Sequence, residues 1–133
     1  MSTTTIVLLA AALGAVALVL VKANRTGQQT ALDVRVIVQL KQAGSKLDKP
    51  HDIDFFLYFP SDSAANTVAQ VLASQGYKTT VNASAKSDSE WLVQASKTMI
   101  PEAWPLVEIR RSLSTLASEN GGSYDGWGAA VVQ

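Results

Sequence analysis

The stretch HDIDFFLYFP, from His51 to Pro60, alternates strictly: Ile53, Phe55, Leu57 and Phe59 fall on one side, Asp52, Asp54, Phe56 and Tyr58 on the other. A period of two with one apolar face predicts a strand laid on a core, its second face open. Pro60 lacks the N–H a ladder needs and ends it. Ser61 then supplies the side-chain oxygen that caps a helix start, and Ala65, Val68, Ala69 and Leu72 make one helical stripe before Gly76 stops it.

Downstream, YKTTV reads as a second strand, AKSDSE as a polar turn and WLVQASKTM as a third strand. Pro101 opens another helix, and Pro105 is tolerated because it lies in the first turn. Leu106, Ile109, Leu113 and Leu116 are its expected buried stripe, and NGG at 120–122 ends it. GGSYDGWGAA, residues 121–130, runs into a fourth strand. The order strand–helix–strand–strand–helix–strand, with right-handed crossovers, predicts an α+β, ferredoxin-like βαββαβ domain: a four-stranded antiparallel sheet with both helices on one face.

Upstream, TALDVRVIVQLKQAG (residues 30–44) fits two states. Leu32, Val34, Val36, Val38 and Leu40 alternate as in a strand; Thr30 with Asp33 resembles a helix start, and Gly44 a helix stop. Residues 24–30 are polar and read as a linker. Before them, residues 3–21 carry neither charge nor proline, and as a helix they would be about 29 Å long, close to the apolar thickness of a bilayer. The expected organisation is an anchor over 1–23, a linker over 24–30 and a domain over 31–133. MSTTT lacks the basic start of a secretory signal, so the anchor reads as uncleaved; were it cleaved, the domain would be secreted or periplasmic. Lys22, Arg25, Arg35 and Lys41 follow the span and none precedes it, which orients the domain toward the cytoplasm.

The 133 residues carry 11 basic and 11 acidic side chains, so no net field attracts nucleic acid or anionic lipid. The absence of cysteine excludes disulfides and thiolate chemistry. His51 is the only histidine. Asp52 and Asp54 share a strand face with Cα atoms about 7 Å apart, a spacing that suits cation binding or acid–base work, but no supporting ligands accompany them. They read as acids on a solvated face. No enzyme, metal or cofactor is expected. A recognition role for RNA is the alternative, with Phe56 and Tyr58 stacking bases, although the third strand lacks the basic, glycine–aromatic pattern of such domains. Packing of Phe56 and Tyr58 beneath the helix preceding the first strand is the simpler expectation.

YDGWG, residues 124–128, after a helix ending in ENGG and near the end of a ferredoxin-like domain, resembles the RraB family, regulators of ribonuclease E activity. HDIDFFLYFP followed by a helix and GYKTTV is similar to that family's first strand, helix and second strand, and the resemblance spans residues 39–131. It implies a helix before the first strand and a non-catalytic protein that binds ribonuclease E and lowers or redirects its activity. Family members of that role are soluble and strongly acidic, whereas this chain is balanced and carries an apolar span. Ribonuclease E in many bacteria lies at the inner membrane, so the resemblance and the span together imply a single-pass inner-membrane protein. By strand alternation Tyr124 shares a face with Gly126 and Gly128, and Asp125 with Trp127. Trp127 is expected in the core, with the glycines permitting a bend or bulge; Tyr124, Asp125 and Trp127, with Asp52, Asp54, Phe56 and Tyr58, are the candidate interaction surface.

Overall fold

The computed structural model describes residues 25–133. The expected anchor over residues 1–23 lies outside the described residues; among these, no helix is long and apolar enough to cross a membrane. Strand β1, His51–Phe59, alternates between buried and open positions along its whole length. It pairs antiparallel with β3, Trp91–Met99, and with β4, Ser123–Ala129; β3 pairs antiparallel with β2, Lys78–Ala83. The sheet order is therefore β2-β3-β1-β4, the order a ferredoxin-like connection produces.

Three helices accompany the sheet among the described residues: α1, Arg25–Gln42; α2, Asp62–Ser74; and α3, Ala103–Glu119. Ser61 caps α2 by accepting from the Ala64 N–H at 3.1 Å, and Ala65, Val68, Ala69 and Leu72 are its buried stripe. These side chains meet Ile53, Phe55, Leu57 and Phe59 of β1 in a single core that also takes Leu106, Leu113 and Ala117 from α3. Burying a valine or leucine as fully as Val68 and Leu72 contributes about 1.5–3 kcal/mol each.

The disputed segment before β1 is helical. It begins at Arg25, inside the stretch expected to be a linker, so Asp33 is mid-helix rather than part of a helix start. Helix α1 packs on α3 and β4 and adds Val36 and Leu40 to the core. It thus lies on the covered side of the sheet, and Phe56 and Tyr58 are not beneath it. In α3 the buried stripe is Leu106, Arg110, Leu113 and Ala117, turned from the expected one; Ile109 and Leu116 are only half-buried.

The start of β1 is not solvated at His51, which is buried. Its Nδ1 donates to the Lys49 carbonyl at 2.8 Å, so in the neutral ring Nε2 accepts from the Ser45 hydroxyl at 2.6 Å. The Ser45 oxygen in turn accepts from the Val132 N–H at 2.9 Å, while the Val132 carbonyl accepts from Lys46 N–H at 2.8 Å. The lone histidine is a structural bridge that binds the α1–β1 loop to the chain beyond β4.

Between α3 and β4 the chain passes through Gly121, at φ +77°, and Gly122. A Cβ on Gly122 would overlap the Tyr58 carbonyl oxygen and the Phe59 ring. Because one obstacle is backbone of the central strand, Gly122→Ala is expected to destabilise the domain by about 3 kcal/mol, measured by urea denaturation. Gly44→Ala, where a Cβ meets nothing within 4 Å and only the φ of +91° opposes it, is expected to cost about 1 kcal/mol.

Candidate functional site

The uncovered face of the sheet collects four of the residues singled out in the sequence. Asp52 and Asp54 of β1 stand opposite Thr98 and Ser96 of β3. Asp52 accepts from the Thr98 hydroxyl, and Asp54 from the Ser96 hydroxyl at 2.6 Å. Both carboxylates are thus oriented by neighbours while their other oxygens stay available. Among the described residues no three or more His, Asp or Glu side chains gather in a way that could hold a metal ion.

Phe56 and Tyr58 continue the row, both half-buried. Lys86, from the β2–β3 turn, places its ammonium 4.0 Å from the centroid of the Tyr58 ring. Burial, helped by the nearby charges of Asp125 and Glu90, pushes the Tyr58 phenol up to about 12. Burial also raises the Asp125 carboxyl, against the pull of Lys86 and Arg110. Tyr58, Lys86, Glu90 and Asp125 therefore form one electrostatic neighbourhood at the end of the face distant from Asp52.

Tyr124 and Trp127 do not belong to it. Along β1, Phe55 pairs with Trp127 but Leu57 pairs with Tyr124, so β4 spends three steps where β1 spends two. This is a β-bulge opposite Phe56, and Gly126 at φ +108° takes the conformation it requires. The extra residue resets the alternation, and Tyr124 and Trp127 both stand beside core-facing residues of β1. Strict alternation had put them on opposite faces. Trp127 is core, 2 % exposed.

Behind the bulge lies a group of residues that sequence reasoning missed. Asp33 of α1, fully buried, accepts two hydrogen bonds from Arg110 of α3, Nε to Oδ2 at 2.9 Å and Nη2 to Oδ1 at 2.8 Å. The Trp127 indole N–H donates to Oδ1 at 3.2 Å. Arg110 also lies 5.0 Å from the centroid of the Tyr124 ring, whose buried hydroxyl has no hydrogen-bond partner. Burial pushes the Asp33 carboxyl up, and Arg110 and then Trp127 pull it back. Three donors aimed at its two oxygens, two of them from a guanidinium, favour the ionised carboxylate as the partner of Arg110. The signal in the sequence was spacing: Asp33 precedes Val36 and Leu40 by three and seven, and Arg110 sits between Leu106 and Leu113, so both occupy core-facing turns.

A family model described as RraB, regulator of ribonuclease activity B, matches residues 31–129. The match runs from within α1 to the last residue of β4 and includes Asp33, Arg110 and the bulge. No curated protein matches the chain.

Breaking the buried pair from one side leaves an unpaired charge. Asp33→Leu or Arg110→Met alone is expected to destabilise by about 3–5 kcal/mol, and the double variant to recover most of that loss in a denaturation cycle. The tyrosines give a second test. All three in the chain, Tyr58, Tyr77 and Tyr124, have phenols raised above the ordinary value, burial being the largest cause in each. A raised phenol holds its proton more tightly folded than unfolded, so stability is intact below the ordinary value of 10 and falls as pH rises through the folded value, about 12 for Tyr58. Phenolate absorbance is expected to lag behind that of the urea-unfolded chain, and Tyr58→Phe to flatten the alkaline loss of stability.

Proposed function

Because the chain belongs to the RraB family, we propose that it is a non-catalytic module that regulates a ribonuclease, ribonuclease E by the family resemblance, by binding it through the open face of the sheet. The observation that carries this reading is the row Asp52, Asp54, Phe56 and Tyr58, which the three described helices leave uncovered. Two carboxylates beside two half-buried aromatics, with Asp125 at the far end, make a surface with an apolar centre and a charged rim, the anatomy of a protein contact. Although the chain is neutral overall, the Asp52–Asp54 end of this row is acidic, which favours a basic segment on the partner.

The same surface suits RNA poorly. Lys86 already occupies one face of the Tyr58 ring, where a base would stack, and Asp52 and Asp54 repel phosphate. In this proposal residues 3–21 hold the module at the bacterial inner membrane with its domain in the cytoplasm, raising its effective concentration near a membrane-held ribonuclease.

Cross-linked pull-down of the full-length chain from native membranes tests both parts. Ribonuclease E is expected in the wild-type eluate and, with Asp54→Lys or Asp125→Lys, reduced about tenfold. Its absence from the wild-type eluate, or equal recovery with both variants, overturns the reading; RNA retained without ribonuclease and released by salt would favour the nucleic-acid alternative.

A further inference from the structure

On the covered side of the sheet, remote from the surface just described, β3 breaks its own pattern. Its core-facing positions are Trp91, Val93, Ala95, Lys97 and Met99, and Lys97 is the one charge among them. β3 is an interior strand, so this lysine does not guard an edge against strand pairing. Its Cα is paired with that of the fully buried Ile53, and its side chain turns along the Tyr77 ring, with the ammonium 4.3 Å from the centroid. Neither ion pair among the described residues includes it; Glu108, an acid that lines the same recess, is gripped at 2.9 and 3.1 Å by Arg111.

Lys97 stands at the wall of a cleft of about 260 Å³ between the end of α2 and the outer side of α3. Tyr77, Ile109, Leu113 and Leu116 supply its apolar lining, and Gln75, Ser112 and the Arg111-paired Glu108 add polar groups. The half-exposure of Ile109 and Leu116, against the expectation that they are buried, is a consequence of this opening. A cation that belongs to neither ion pair, held against an aromatic ring in a recess whose one acid is already paired with Arg111, is complementary to an anion that carries an apolar body. The volume is that of a small molecule, just under the range of drug-sized pockets.

We propose that this cleft is a binding site for a small organic monocarboxylate, with the carboxylate on Lys97 Nζ and an aromatic or branched aliphatic body against Tyr77, Ile109 and Leu116. The proposal does not depend on the ribonuclease reading, because the cleft and the open row lie on opposite faces of the sheet.

Phenylacetate and its uncharged isostere phenylacetamide are the probes, titrated into the full chain held in phospholipid nanodiscs and followed by the methyl resonances of Ile109, Leu113 and Leu116. Phenylacetate is expected to shift them saturably, and phenylacetamide to bind about tenfold more weakly, the worth of one charge-assisted hydrogen bond. Lys97→Gln is expected to bring the acid down to the level of the amide, Lys97→Arg to retain the preference for the acid, and Ser112→Phe, from an exposed helix position, to block both. Absence of saturable shifts, equal binding of acid and amide, or an unchanged affinity for the acid in Lys97→Gln overturns the proposal.

Discussion

A buried carboxylate, Asp33, is the point at which the extra helix, the last helix and the last strand meet. It takes two bonds from Arg110 and one from Trp127, and the two donor residues come from different elements. A carboxylate with three directed donors admits one position, since any other leaves an ion in the interior without partners. The arrangement therefore sets the placement of α1 on a sheet that the ferredoxin-like connections by themselves do not specify.

That placement depends on the bulge. Without the additional residue at Asp125–Gly126, Trp127 and Tyr124 could not both face the core, and the indole N–H could not reach Asp33 while the Tyr124 ring lies beside Arg110. The same bulge leaves Asp125 in the field of Lys86 and Tyr58. One irregular step in β4 thus separates a core assembly from a surface one, although their residues are neighbours in sequence. The glycine-rich YDGWG stretch that carries the family resemblance is best understood as this device.

Much of the fold was legible because local signals agreed with one another. The alternation of His51–Phe59, the Ser61 cap with its stripe, and the bounds of Trp91–Met99 each follow from a period or a punctuating residue. Failures came where a rule of strict period met an exception. In residues 32–40 the valines at every second position fit a strand, and only packing against α3 and β4 decides for a helix. The Leu106–Leu116 stripe follows apolar residues alone and so omits Arg110, whose long stem and paired head make it a core residue. On β4 a bulge cannot be read from alternation, which presupposes its absence. The acids and aromatics of the open face were legible because they follow from β1 directly; the placement of Lys86 over Tyr58 was not, because it depends on how a distant turn folds back.

The bulged strand is also the margin of the sheet. An outermost strand offers a straight row of free amides and carbonyls to any passing chain, and an uninterrupted one invites self-association into extended fibrous assemblies. In β4 that row is broken midway by an unpaired residue and bent by Gly126, with the acid of Asp125 set at the break. At the opposite margin β2 is only six residues long and begins with an exposed lysine. The sheet is thus poorly suited to growth at either side, a property that suits a domain meant to meet other proteins with its face rather than its rim.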